Sequence, residues 1–432
     1  MQKRISCVSL VIFVCTLMFS CAYGEKSPLT DIGQGKTVLT MATDLYTFKD
    51  EVDLFNLNSK DYFIEVISFD SEEDFYHSID SGEIPDFYSF MPSISGYQAI
   101  DPMKLSAKGM LTDLYEFIDQ DEEISRETFI PGLLGVAEIG SALYQLPSSF
   151  YIMSVAGNTD MTGEHIDSME QLLSLLAQYG VDYPFGPNES REWLASYILA
   201  EYYFDFMDWD TLSGNVDTKL FRNILELIKL QPSIEEITLD GKIVEVPHKD
   251  VIEQKQCLLC PITISSVNQV QIAYGMLGTE KVSFVGYPLD TSICSIASNG
   301  CFGISATSTH QKVIWEFIRQ FYVEREITAF GTNENTLSIR LEDAANLEKE
   351  TEGTIVIGQG EGAYEVKVGL PTEADRLILT KLIGSFDRLH RYDPLVVEKI
   401  ITLATPYWND EQDIDTTIKQ IDCCLKEYFS SI

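Results

Sequence analysis

Six cysteines lie beyond the first 24 residues: Cys257, Cys260, Cys294, Cys301, Cys423 and Cys424. The Cys257-x-x-Cys260 pair with the vicinal Cys423 and Cys424 is the arrangement in this chain that comes nearest to a zinc site. Zinc fingers and ribbons draw on Cys and His at short, regular spacing. His77, His165, His248, His310 and His390 are scattered, none four residues from another. No metal is expected, and the cysteines read as small buried hydrophobes. Cys294 with Cys301, or Cys257 with Cys260, remain disulfide candidates if the chain is exported. The glycines of Gly358-Gln-Gly-Glu-Gly362 could suggest a phosphate loop, but no helix follows at once, and apolar alternation on both sides predicts a β-hairpin over 354–368. Neither G-x-S-x-G, H-E-x-x-H nor a Walker A loop occurs. With 67 acidic residues some carboxylate pair can always be proposed, so such a pair carries no weight. No catalytic residue and no cofactor are assigned, and noncovalent binding is the chemistry left.

The elements that would position a binding site begin with Thr37 to Thr43, a β-branched run read as a strand. Phe48, Val52 and Phe55 then mark one helical face, and Asp61 to Phe69 returns as a second strand. This β-α-β start implies a parallel sheet. An acidic amphipathic run carrying Phe75 and Ile79 stops at Gly82, and Pro85 restarts the chain as the apolar segment Phe87 to Met91. Ligands of open α/β sheets sit beyond the carboxyl ends of such strands. Asp44 and Tyr46, after the first strand, therefore share an edge with Phe90 and Ser93, after the third. Asp86 is read as a support for the strand turn.

Ile79 to Ser93, followed by Lys108-Gly-Met-Leu-Thr-Asp-Leu114, resembles the first lobe of extracellular solute-binding proteins, family 1, the sugar-binding lipoproteins of bacterial ABC importers. Further similar stretches are Asp208-Trp-Asp-Thr before Phe221-Arg-Asn-Ile-Leu, Gly303-Ile-Ser305 before the Trp315-Glu-Phe-Ile helix, and the tail from Ile400 to Tyr428. The segment Ala142 to Pro147 matches the family's approach to the interlobe crossing, with Gln145 where a glycine is usual. The resemblance implies an α/β, two-lobed periplasmic-binding-protein-like fold (type II) with a helical C-terminal segment. It also implies the function of capturing a carbohydrate, an oligosaccharide above all, between the lobes and handing it to ABC transporter permease subunits. Phe90 would be a cleft aromatic, and Trp193 and Thr263 would reach the ligand from the second lobe. The implied division is a signal or lipoprotein segment over 1–24, a linker over 25–36, lobe 1 over 37–148 and 289–335, lobe 2 over 149–288, and a hairpin with C-terminal helices over 336–432. The first hinge falls near Ser148 to Met153, and Val282 to Pro288 is read as the strand that crosses back. Trp315 reads as core.

Composition fits this reading. A chain of 432 residues, 45% hydrophobic and 22% charged, is long enough for two lobes. A net charge of -37 offers no basic face to nucleic acid or an anionic membrane surface. Lys3 and Arg4 precede an apolar run to Phe19, the layout of a secretory signal and too short for a strong spanning helix. Leu17-Met-Phe-Ser-Cys21 resembles a lipobox that would lipidate Cys21, while Ala22-Tyr-Gly24 offers ordinary signal cleavage. The chain is accordingly expected as a monomer at the extracellular face of the bacterial cytoplasmic membrane, held by a lipid anchor only, or else secreted or periplasmic. A ligand-sensing lipoprotein and a secreted carbohydrate-active enzyme are the alternative readings.

Overall fold

The computed structural model describes residues 35–43, 48–69, 71–90, 100–239, 241–323, 337–341, 352–357 and 364–432. The amino-terminal β-α-β unit forms as the periodicity predicts: β1 (Thr37–Thr43), α1 (Lys49–Asn58), β2 (Tyr62–Ser68), α2 (Glu72–Asp80) and β3 (Phe87–Phe90). β1 pairs in parallel with both β2 and β3. Ser71 caps α2 by accepting from the Asp74 amide. Asp86 supports the entry to β3, accepting from the Thr40 amide at 2.9 Å and from Ser308 Oγ at 2.6 Å. After α3 (Pro102–Ala107), Tyr115–Ile118 and Leu133–Ala137 are single turns, α4 and α5. Gly132, Gly140 and the Leu111 bridge to Ser305 flank them.

Two long strands organise the rest: β4 (Leu146–Asn158), then, after α6 (Met169–Tyr179), α7 (Arg191–Glu201), α8 (Tyr203–Phe206), α9 (Lys219–Lys229), β5 (Leu259–Ile264), α10 (Asn268–Leu277) and β6 (Val282–Phe284), the partner strand β7 (Cys294–Ile304). The α6 cap is Ser168, which accepts from the Gln171 amide, and Gly180 closes that helix at a φ of 66°. β7 lies between β3 and β4, antiparallel to both. The strand that returns to β3 is therefore β7, and not Val282 to Pro288. Only Val282 to Phe284 of that segment is strand, pairing with the far end of β4, and Gly286 turns the chain away at a φ of 68°. A disulfide between Cys294 and Cys301 is excluded. Both sit on β7, and seven residues of strand separate them by about 23 Å, against the roughly 7 Å a bridge tolerates. All six described cysteines are free.

Register sets where the strand ends meet. β3 ends at Phe90 opposite Cys301, which also faces Pro147, whereas β5 ends at Ile264 opposite Ile152. Their carboxyl ends thus point toward each other along β4, across about 16 Å of strand from Pro147 to Ile152. Ser148 to Met153, the expected hinge, lies in this span. Gln145, just before β4, is fully buried with neither amide atom hydrogen-bonded among the described residues.

α11 (Gln311–Val323) buries Trp315, whose indole donates to Asp121 at 2.8 Å. β8 (Leu337–Ser338) pairs with β4, and β9 (Gly353–Ile357) pairs with β10 (Tyr364–Val368) as the expected hairpin, its glycine turn lying outside the described residues. The C-terminal segment is helical in three pieces, α12 (Glu373–Ile383), α13 (Pro394–Trp408) and α14 (Ile414–Ser430). α7, α9, α13 and α14 share one apolar cluster, with Leu194, Ile198, Ile224, Ile400 and Ile421 at 0% exposure. Among the described residues no helix is long and apolar enough to cross a membrane.

Candidate functional site

Helix α7 carries the site. Ser190 accepts from the Trp193 amide at 3.3 Å and starts the helix, while Leu194, Ala195, Ile198 and Leu199 turn into the core. Trp193, Tyr197 and Glu201 follow one another at intervals of four, so they line one shoulder of the helix. The two rings lie with centroids 4.3 Å apart at 37°, and both remain half-buried.

The sheet supplies the opposite wall. Met153 pairs with Thr263 on one side and Ser295 on the other, a cross-strand row whose side chains share a face. Ser295 Oγ donates to Glu201 Oε2 at 2.5 Å, which pins α7 over that row. His390 Nδ1 lies 3.4 Å from the same oxygen. His390 is itself held by pairing with β7, its amide donating to the Ile296 carbonyl at 2.6 Å. Both contacts to Glu201 fall on Oε2, and among the described residues Oε1 has no hydrogen bond. Met153, Trp193, Tyr197, Glu201, Thr263 and Tyr287 surround a cavity of about 100 Å³.

Burial pushes the Tyr197 and Tyr287 phenols well above their ordinary range, so both stay protonated at neutral pH. The cavity therefore offers phenol donors, a carboxylate acceptor, an exposed threonine hydroxyl and aromatic faces. Such a lining suits a ligand with an apolar face and many hydroxyls. Among the described residues no group of three or more His, Cys, Asp or Glu is placed to hold a metal ion.

Of the residues expected at a site, the structure brings Trp193 and Thr263 together. Phe90 is placed elsewhere, and its expected role as a cleft aromatic is corrected: it is fully buried, stacked on Tyr88 at 5.8 Å and 9°. A Cβ on Gly303 would come within 2.8 Å of its ring, so the glycine of the neighbouring strand is what lets the ring fold inward. Asp44, Tyr46, Ser93 and Cys21 lie outside the described residues. Tyr197 and Glu201 were not anticipated. Their four-residue spacing from Trp193 was visible in the sequence and reads equally as packing.

No family model and no curated protein matches the chain. Solved structures do. The sugar-binding protein MalE from Xanthomonas citri is 11% identical, aligns over 91% of this chain and 98% of its own, and has a TM-score of 0.58. The cyclic alpha-maltosyl-1,6-maltose binding protein of Arthrobacter globiformis is 13% identical over 92% of this chain and 100% of its own, with a TM-score of 0.54. An ABC substrate-binding protein from Listeria monocytogenes, in complex with cycloalternan, is 13% identical over 91% and 99%, with a TM-score of 0.53. At such identities the likeness establishes the fold: the chain has the α/β, two-lobed periplasmic-binding-protein-like architecture of these proteins.

Proposed function

We propose that this chain is the extracellular substrate-binding component of an ABC importer, which captures a carbohydrate between its lobes and delivers it to a membrane permease. The observation that carries the reading is the α7 shoulder. Trp193 and Tyr197 present ring faces to the C–H side of a pyranose, and Glu201 Oε1, Thr263 and the two phenols meet its hydroxyls. This wall stands where the carboxyl ends of β3 and β5 converge, the position at which α/β sheets bind ligands. The described likenesses, all to binding proteins, support capture without covalent change.

In this reading residues 37–148 and 289–335 form lobe 1, residues 149–288 form lobe 2, and Ser148 to Met153 flexes when the lobes close. Asp44, Tyr46 and Ser93 complete the wall from lobe 1. Residues 1–24 direct export, Cys21 carries the lipid that holds a monomer at the outer face of the cytoplasmic membrane, and residues 25–36 form the tether.

The test is a thermal-shift screen of the purified protein against mono- and oligosaccharides, with release of reducing ends assayed in the same wells. A sugar at 100 times its dissociation constant should stabilise the protein by about 2.7 kcal/mol, a clear rise in Tm. A rise without turnover supports a receptor. Turnover identifies a carbohydrate-active enzyme instead, and the absence of a rise with every sugar removes the carbohydrate reading.

A further inference from the structure

Glu201, 8% exposed in the wall of the cavity, has no lysine or arginine within ion-pair distance among the described residues. Ser295 donates to Oε2, and His390 Nδ1 stands 3.4 Å from that same atom, which leaves Oε1 without a hydrogen bond among the described residues. Arg388, two residues before His390, is spent on other carboxylates, lying 2.8 Å from Asp290, 3.3 Å from Asp387 and 3.6 Å from Asp205. Glu201 is also the last residue of α7, whose final turn carries no basic residue. A carboxylate at that end meets the negative pole of the helix and has lost most of its water. Such a group calls for a cation.

The rest of the wall suits one. Trp193, Tyr197 and Tyr287 bring three aromatic rings and Met153 a thioether, and the wall holds no lysine or arginine. Ring faces attract cations, the more so where water is excluded. Burial raises the Tyr287 phenol, Glu201, Tyr197 and Glu189 raise it further, and no cationic side chain among the described residues draws it down. Size limits what can enter. A cavity of about 100 Å³ holds roughly three water-sized groups, so it admits one substituent of a pyranose while the ring stays against Trp193.

We infer that the cavity receives the ammonium group of an amino sugar, with Glu201 Oε1 accepting from it and the aromatic rings of Tyr197 and Tyr287 enclosing it. The inference rests on the carbohydrate reading and narrows its ligand class.

The test is calorimetric titration of the full protein with the β-linked disaccharide of glucosamine, with cellobiose, which carries hydroxyls in place of its amines, and with the N-acetylated disaccharide. The amine should bind at least about tenfold more tightly than either neutral sugar. Glu201→Gln, which keeps the side chain's shape and an accepting oxygen, should bring the ratio of amine to cellobiose affinity close to one. Because Glu201 also pins α7 through Ser295, Tyr197→Leu provides an independent arm. It leaves the carboxylate in place, removes one ring at a half-buried position and should cut the ratio several-fold, and it decides the matter where Glu201→Gln does not fold. A neutral sugar that binds as tightly as the amine, or a ratio that Glu201→Gln leaves intact, overturns the inference while leaving a neutral-sugar receptor standing. Binding of none of the three overturns the inference alone where another sugar raises Tm in the thermal screen, and overturns both readings where none does.

Discussion

Two aromatic groups flank the place where β3 and β5 end, and they behave in opposite ways. On the β3 side, Phe90 and Tyr88 stack within a cluster of Ala42, Phe75, Ile100 and Leu105, all at 0% exposure. On the helix side, Trp193 and Tyr197 stack on each other and remain half-buried. The two groups differ in what faces them. A glycine in the adjacent strand makes room for Phe90, whereas the nearest sheet row to Trp193 carries Met153 and the exposed Thr263. An aromatic at a strand end is thus open to ligand only if the neighbouring strand denies it a place in the core.

The largest effect that would break this contrast is Phe90→Ala. Removal of a fully buried phenylalanine should cost about 3–5 kcal/mol of stability, read by denaturant titration. The sugar affinity of the folded fraction should fall less than in Trp193→Ala. Were Phe90→Ala to cost under about 1 kcal/mol and abolish binding, Phe90 would be a ligand contact and the contrast would be wrong.

Next in size is Gly303→Ala. The new Cβ would lie 2.8 Å from the Phe90 ring and 3.0 Å from the Tyr144 carbonyl, and the backbone atom cannot yield as a flexible side chain can. Overpacking of this kind costs about 1–3 kcal/mol. The double variant Gly303→Ala/Phe90→Leu should recover part of that loss, since the smaller side chain vacates the contact. A strictly additive pair would show that the two residues do not share the space.

Trp193→Ala sharpens the other side. Half-buried on a helix shoulder, Trp193 should contribute little to stability, and its loss should weaken sugar binding about tenfold, or about 1.4 kcal/mol. Thermal-shift titration separates the two quantities. A large fall in Tm without ligand would make Trp193 a packing residue.

The sheet's beginning was legible because local pattern decides it. β-branched runs, the spacing of Phe48, Val52 and Phe55, and serines at helix starts require nothing from distant residues. The return strand was not legible. Cys294 to Ile304 is a strand because it fills the gap between β3 and β4, a pairing across more than a hundred residues, and Val282 to Pro288 looks equally strand-like from within. The same limit explains Phe90. Its neighbour Gly303 decides whether the ring turns outward, and nothing near Phe90 in the sequence announces that glycine. Trp193 and Thr263, which the structure brings to one cavity, each sit near an element's end, whereas the place of Glu201 beside them depends on Ser295 and His390 from two distant segments.

A further test concerns the charges beside the sealed aromatics. Asp101 follows Ile100 of that cluster, is 6% exposed, and accepts from the Met103 amide at 2.8 Å through Oδ1 while Oδ2 has no partner. Lys104 is the ammonium group in this nest, 2.6 Å from Glu72 and 3.0 Å from Asp393, whose carboxylate also accepts from Tyr428 at 2.7 Å. Tyr76, Tyr203 and the more distant Arg391 complete the titratable surroundings. Burial, followed by repulsion from Asp393, raises the Asp101 carboxyl to about 7. An acid whose pKa is higher folded than unfolded holds more protons in the native state between those two values, so stability is full below about pH 4 and declines as pH rises to about 7. One proton limits the slope to about 1.4 kcal/mol per pH unit. Asp101→Asn, which keeps the Oδ1 acceptor, should remove the decline seen in denaturant titrations between pH 4 and 7. A decline that persists in the variant would show that Asp101 is not its source.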